Sequence, residues 1–409
     1  MKTVIIGAGV SGVASALALS REHEVTVYEQ ADELRADGNG VLLYPNATGL
    51  LRTWGIRLDD LGVRVEALDL LSEYGETLLQ MDMAAIARRY RHPVIVGKRG
   101  GVLAALAERL PAGTVQFGKQ LTGIKYRTDR PRTTVVASFS DGSEVECDAL
   151  IGADGHRSAV REHLLGHDPA AYCGDATWHG ITALPHGFSE GDRIHSLYSH
   201  EGICVMHPVG DGQVYWAFEL PWREGDTAPP GKPGGHGFGH PGVPVEGSPV
   251  ENLRARFGHW TGGALPQLLE TITDDDISVF PHIMHHVRPY WGDGPVTLAG
   301  DAAHVVPPRL GMGLCQALED AWVLERAMSG PGTANERLRA YEGARWPRLR
   351  RMRTIAEVMG RRTLPAPPKL AQRIGRFVPM TAYQQLQVKR LSNYLNDDAP
   401  GTGASVHIG

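Results

Sequence analysis

The hydrophobic pattern of the first thirty residues changes period twice. A continuous apolar run at 3–6 (TVII) has the density of a strand buried on both faces. Glycines at 7–12 interrupt it, VASALALS continues at helical spacing, and EVTVYE at 24–29 alternates as a second strand. Strand, helix and strand fit a right-handed crossover between parallel strands. Residues 44–55 (YPNATGLLRTWG) predict a helix capped by Asn46 and stopped by Gly55, and 101–113 (GVLAALAERLPAG) predict another. Residues 132–150 predict a hairpin turning at Asp141-Gly142. ALIGADGHRSAVREHLL then repeats strand, glycine bend and helix.

From 176 to 220 the pattern is strand-like, as in GICVMHPV and QVYWAFEL. A Gly/Pro loop is expected over 225–249, a helical stretch over 250–273 and a strand over 277–288. VTLAGDAAHVVPPRLGMGLCQALEDAWVL, 296–324, leaves a buried strand through Gly-Asp and opens a helix with glycines. An Arg-rich helix over 333–360, ended by LPAPPKL, and a last helix over 378–396 complete the chain. This order predicts an α/β protein. One nucleotide-binding domain is assembled from separated pieces, and a β-rich domain is inserted in it.

Composition narrows the classes. A chain of 409 residues, 42% hydrophobic and 21% charged, is that of a soluble globular protein with room for two or three domains. The net charge of -5 offers no field to attract nucleic acid, and no apolar run is long enough for a membrane span. The apolar N-terminus carries glycines and no cleavage pattern, so no signal peptide is expected. Four cysteines without a CxxC pair argue against a zinc site or disulfide scaffold and suit the cytoplasm. Fifty glycines direct attention to places where backbone approaches a ligand.

Three glycine-bearing bends carry the candidate chemistry. In GAGVSG, Gly7 permits the tight turn, Gly9 lets backbone approach a pyrophosphate, and Gly12 lets helix and strand pack closely. The helix start presents free N–H groups to phosphate, and Glu29, ending the next strand, suits an unphosphorylated ribose. ALIGADGHRSAVR places Asp154 after a strand; it reads equally as a ligand contact or as an Asp-Gly turn with surface arginines. In the third bend Asp301 can accept from polyol hydroxyls, and the helix opened by Gly311 and Gly313 can stabilise negative charge on a ring.

In this order the three elements resemble the fingerprints of the single-component flavoprotein monooxygenases of the para-hydroxybenzoate hydroxylase type. The resemblance covers residues 1 to about 330. GNGVLLYPNATGLL, GKRGGVLAAL and LCQALEDAWVL are similar to the branch with zeaxanthin epoxidase and urate hydroxylase. It implies a GR2-type Rossmann-like FAD-binding domain at 1–70, 98–175 and 290–330. A substrate-binding β-sheet domain would occupy 71–97 and 176–289, and C-terminal helices 331–398. It implies tightly, noncovalently bound FAD, transient NAD(P)H and O2. One oxygen atom would pass from the flavin C4a position to an aromatic or other electron-rich small molecule, in secondary metabolism or aromatic catabolism. Gly7, Gly9, Val10, Ser11, Gly12, Glu29 and Gln30 would hold the ADP half, Arg99 the flavin or pyrophosphate, and Asp154 both FAD and NAD(P)H. Gly300 and Asp301 would meet the ribityl chain, and Pro307, Gly311, Met312, Gly313 and Leu314 the ring. Met312 stands where many relatives have Gln, which keeps the backbone donors but not a side-chain contact.

Tyr215 and Trp216 share a strand and so face opposite ways. The resemblance makes Tyr215 a pocket candidate, against ordinary sheet packing. His207 before Pro208 is a candidate base, against a structural histidine. His282, His285 and His286 fall on both faces of a strand, a poor chelate, so no metal is expected; HGFGH in the Gly/Pro loop is similar. The arginines at 345–353 read as a solvated face with salt bridges, and Cys315 as core. The expected state is a monomer or homodimer. Alternatives on the same fold are an FAD-dependent dehydrogenase or oxidative cyclase, and a noncatalytic flavin-fold binding protein.

Overall fold

The computed structural model describes residues 1–35, 39–129, 132–186, 188, 191–222, 232–233, 247–361, 380–398 and 400. The expected Gly/Pro loop, HGFGH with it, falls almost wholly outside these residues, as does LPAPPKL.

A five-stranded parallel sheet forms the base of the molecule. Its order is Val296–Leu298, Ala149–Gly152, Lys2–Ile6, Glu24–Tyr28 and Val115–Gln116. Val4, Ile5, Leu150, Ile151, Val296 and Leu298 are fully buried, as strands covered on both faces require. The helices Val10–Leu19 and Gly313–Met328 pack against one another over it. The three strands that precede the glycine bends are neighbours and parallel. Their carboxyl ends therefore leave the sheet along one edge, where open α/β sheets bind ligands.

The hairpin turns at Asp141-Gly142 as expected, its arms Thr134–Phe139 and Glu144–Cys147 extended to three strands by Leu121–Arg127. The helix expected over 44–55 runs Pro45–Thr53, but Asn46 is not its cap. Tyr44 holds that position without a side-chain bond, while buried Asn46 donates to Glu319 Oε1 at 3.0 Å. An amide in the first turn of a buried helix, past the cap position, serves a tertiary partner instead of its own backbone. The helix expected over 101–113 begins at Arg99 and ends at Ala107. The stretch 250–273 divides into Pro249–Phe257 and Leu265–Thr271, separated by Gly258, Gly262 and Gly263.

The middle of the chain forms an eight-stranded sheet. Its centre is Ser278–Met284, Ala171–Ala183, Gln213–Pro221, Ile203–Gly210 and Arg193–Tyr198, all antiparallel. Ala67–Ser72 joins parallel to the last of these. Period-two alternation divides its faces. Trp178, Trp216, Phe218, Cys204 and Met206 pack with Leu253, Phe257, Trp260, Leu265 and Leu268 of the two short helices. Tyr215 and Val209 instead join the core shared with the parallel sheet. Tyr215 and Trp216 thus face opposite ways, as their adjacency on a strand requires.

The Arg-rich helix runs Ala334–Arg361 and packs along Gly313–Met328. Its Arg339 donates to Val296 O, Tyr341 to Leu298 O, and its Glu342 accepts from Thr297. The final helix is shorter than expected, Met380–Arg390, followed by a single 3-10 turn at Tyr394–Asn396.

Candidate active site

The first bend is built by steric exclusion. Gly7 has φ +100°, and a Cβ there would lie 2.5 Å from Ala153 O of the second bend. A Cβ on Gly12 would lie 1.9 Å from Gly7 O, so helix and strand approach closely only without it. Gly9 begins the helix with no side-chain cap and with open space around its missing Cβ. The first helical N–H groups therefore have no side-chain cap, the arrangement that suits an anion. Val10 is buried, and the buried Ser11 Oγ has no partner among the described residues. Glu29 closes the bend, accepting from Ala8 N at 2.8 Å and Ala31 N at 2.9 Å, while Gln30 beside it is exposed.

In the second bend Asp154 accepts from Ser158 Oγ at 2.5 Å and Val160 N at 3.2 Å, and desolvation raises its pKa. Ser158 in turn caps the helix Ala159–Leu165 through Arg161 N. Asp154 thus organises its own turn. Arg161, which one of the two readings of this bend put on the surface, is buried. It joins Asp168 at 2.7 Å and reaches Ala302 O at 3.0 Å, which ties the second bend to the third.

In the third bend Gly300 has φ +60°, and a Cβ there would lie 2.6 Å from Ser11 Cβ. Its N–H donates to Asp320 Oδ2 at 2.8 Å, which also receives His304 Nε2 at 2.6 Å; Arg345 Nε donates to Oδ1 at 2.6 Å. Burial opposes the charge on Asp320, but His304 and Arg345 outweigh it and hold the pKa at about 2. Arg345 is fully buried and also reaches Gln316 and Asn393, so it does not belong to a solvated face. A guanidinium meets three partners in one plane where an ammonium would not. Arg348, Arg351 and Arg353 do form outer contacts, to Asp398, Arg390 O and Glu357.

Asp301 is solvent-accessible yet crowded by protein. Desolvation raises its pKa against the charges of His304 and Arg99, which places Arg99 near it. The chain then passes buried Pro307 and turns at Gly311, φ +59°. The helix Gly313–Met328 begins with no side-chain cap and open space at Gly313. Leu314 is half-buried. Met312 is buried and packs in the core shared with the parallel sheet. Cys315 is core: its Sγ lies 3.4 Å from Leu42 O, and burial pushes the thiol up to about 12.

Opposite this edge stands the broad sheet. A Cβ on Gly40 would meet the Tyr215 ring at 2.5 Å, and the His207 ring centroid lies 4.8 Å from that of Tyr215. Burial keeps the Tyr215 phenol protonated and lowers His207 to about 3, a poor proton acceptor near neutrality. His282 pairs with Thr177 Oγ1 at 2.6 Å, His286 with Arg353 at 2.8 Å, and His285 is buried; the three have separate surroundings. A cluster absent from the sequence analysis lies on the same face as Tyr215. Arg309, from the 3-10 turn Pro308–Leu310, pairs with Asp175 Oδ2 at 2.7 Å and with Glu219. Glu219 stands four residues after Tyr215, and that even spacing was the available signal for a shared face.

A family model described as FAD binding domain matches residues 1–232 and 271–356. The chain belongs to this FAD-binding family. The FAD-dependent urate hydroxylase of Mycolicibacterium vanbaalenii is 29% identical over 366 residues, 85% of each chain. The aurachin C monooxygenase/isomerase of Stigmatella aurantiaca is 30% identical over 350 residues, covering 84% of this chain and 85% of that one. Among solved structures, Klebsiella pneumoniae HpxO complexed with FAD and uric acid has a TM-score of 0.81 at 23% identity, over 95% of this chain and 97% of that one. The fold is that of the FAD-dependent hydroxylases, and FAD is the cofactor. The bends fit it on physical grounds: two uncapped helix starts, an orphaned Ser11 hydroxyl, and open space at Gly9 and Gly313.

Proposed function

We propose that the chain is an FAD-dependent, NAD(P)H-consuming monooxygenase that hydroxylates an aromatic or other electron-rich small molecule. The observation that carries this reading is the convergence of the three bends, Gly7 on Ala153 and Ser11 on Gly300, at one edge of the parallel sheet. In this reading residues 1–70, 98–175 and 290–330 hold the cofactor, 71–97 and 176–289 the substrate, and 331–398 brace both. No helix among the described residues is long and apolar enough to cross a membrane. The four cysteines are unpaired, which supports a reducing, cytoplasmic setting, with the chain as monomer or homodimer.

Bound FAD supplies hydride acceptance from NAD(P)H and activation of O2 for transfer of one oxygen atom. The N–H groups that open Val10–Leu19, with Ser11 Oγ, hold the pyrophosphate, and Glu29 orders the bend for the ribose. Asp301 and Arg99 meet the ribityl and flavin region. The helix start at Gly313 and Leu314 would favour negative charge on a ring held there. Tyr215 borders the substrate, and the buried sheet face excludes water from the reacting carbon.

Purified protein is expected to be yellow, to oxidise NAD(P)H with stimulation by substrate, and to place one 18O atom from labelled O2 in the product. A colourless protein that takes up no FAD, or a product without O2-derived oxygen, would overturn this function.

A further inference from the structure

The register of the broad sheet arranges its flavin-side residues in rows. Tyr198, Ile203, Glu219, Thr177 and Phe280 form one row across five strands. Ser196, Val205, Ala217, His179 and Ser278 form the next, and His207 lies beside Tyr215 in a third. On this face Thr177, His179, Ser196, His207 and Tyr215 are buried, while Tyr198, Ser278 and Phe280 at the row ends are partly covered. Ile203, Val205, Ala217 and Glu219 are only partly covered, and they are contiguous on two adjacent strands. An accessible patch enclosed between a sheet and a cofactor domain is a pocket floor. The middle of this floor is Ile203, Val205 and Ala217, with Tyr215 at one end and the Glu219 carboxylate, in the row of Tyr198 and Phe280, at the other.

The charges at that carboxylate do not balance. Asp175 and Glu219 face a single guanidinium, Arg309, and Arg309 is engaged by both. Arg309 hangs from the Pro308–Leu310 turn, directly before the backbone that would border the flavin ring, so the cluster also fixes the depth of the pocket. An arriving carboxylate would meet a surplus of negative charge and a cation already paired. A group bearing N–H or O–H would meet an acceptor.

We propose that Glu219 is the polar anchor of the substrate pocket, selecting planar aromatics that present an uncharged N–H or O–H donor and rejecting aromatic carboxylates. This inference rests on the FAD monooxygenase reading, because the floor is a substrate site only with the flavin above it. Arg309 and Asp175 are positioning residues: they hold the Glu219 carboxylate and set its charge. Desolvation lifts Glu219 to about 7, opposed by Arg309 and reinforced by Asp175. The other ionisable groups facing it are Tyr198 and Tyr215, both raised by burial and by the Glu219 charge. His282, lowered to about 3, is neutral beside Arg309, and Cys173, Arg353 and Glu357 lie behind Asp175. Glu219 is therefore the group in this set whose charge changes near neutrality. Donor binding strengthens as pH rises through about 7, when the carboxylate ionises and becomes a pure acceptor.

The test compares two meta-substituted phenols that differ in an amino group against a carboxylate, 3-aminophenol and 3-hydroxybenzoate, titrated by calorimetry into the FAD-loaded protein at pH 6 and pH 8. At pH 8 the aminophenol is expected to bind about tenfold or more tightly than the benzoate, with a smaller ratio at pH 6. Glu219→Gln is expected to bring the ratio near one and remove its pH dependence while FAD stays bound. Equal or tighter binding of 3-hydroxybenzoate at pH 8, no detectable binding of 3-aminophenol, or an unchanged ratio in Glu219→Gln would each overturn the proposal. Should that variant misfold, the wild-type ratio at the two pH values still decides. Incorporation of 18O is measured separately, so absent discrimination in the unsubstituted protein with oxygen transfer intact refutes the anchor alone.

Discussion

Gly300 shows how little room a residue can have. Its φ of +60° lies in the left-handed region, and a Cβ would stand 2.6 Å from Ser11 Cβ and 2.7 Å from its Oγ. Gly300→Ala accepts a backbone strain of about 1–2 kcal/mol and must push the motif helix away from the third bend. Its expected effect is at least a tenfold rise in the FAD dissociation constant, read from flavin fluorescence on dilution, with far-ultraviolet dichroism unchanged. Histidine burial has a different consequence. His179 is lowered to about 4 and His207, His282 and His285 to about 3, in each case chiefly by desolvation. Unfolded histidine binds protons near 6.5, so their contribution is complete above that pH. It is lost as pH falls from 6.5 toward the folded values, by up to about 1.4 kcal/mol per pH unit for each group. The raised carboxyls work in the opposite sense, Glu219 between about 4.5 and 7 and Asp154, Asp175, Asp301, Glu325 and Glu342 with it, against histidines lowered by more than two pH units each. A melting temperature clearly lower at pH 5.5 than at pH 7.5 is expected. An unchanged one would contradict the neutral burial of these rings.

Among elements, the helix Gly313–Met328 is held from beneath by an ionic lattice. Asp320 gathers Gly300 N, His304 and Arg345, while Glu319 receives Asn46, Ser392 and the Asn393 and Tyr394 backbone N–H groups. Arg345→Met leaves Asp320 and Glu319 buried with less compensation. A destabilisation of about 3–5 kcal/mol is expected from urea unfolding, together with weaker FAD binding through Gly300. Arg345→Lys should recover only part of it. None of this was legible from the helical pattern, which sees Arg345 as one charge in an Arg-rich run. The three strand–bend–helix units were legible, because each is local: apolar run, glycines and helical spacing lie within about thirty residues. The facing residues of the broad sheet were half legible. Alternation separated Tyr215 from Trp216 and could have joined Glu219 to Tyr215, but Arg309 arrives from ninety positions later and Asp175 from another strand. Asn46 was misread for the same reason: its partner Glu319 is 273 positions away.

At the scale of the molecule, the proposed cofactor site lies where neighbouring strands of one sheet end, closed by side chains from distant segments. Ligand and fold are therefore linked. At a free FAD concentration of a hundred times its dissociation constant the stabilisation is about 2.7 kcal/mol. Removing FAD is expected to lower the melting temperature and to speed amide hydrogen exchange first at residues 7–12, 152–155 and 300–314, leaving the Trp178–Trp216–Phe257 side protected. Exchange rising equally across both sides would count against the site. That second side bears on how such a molecule can change. The tryptophan-rich face and its two short helices form a core of their own, separate from the one that the opposite face shares with the parallel sheet. Replacing Val205 or Ala217 by a neighbour of different bulk reshapes the cavity while that separate core stays intact. A lineage built this way can drift among aromatic compounds by small steps, each leaving a molecule that still folds and still carries its flavin.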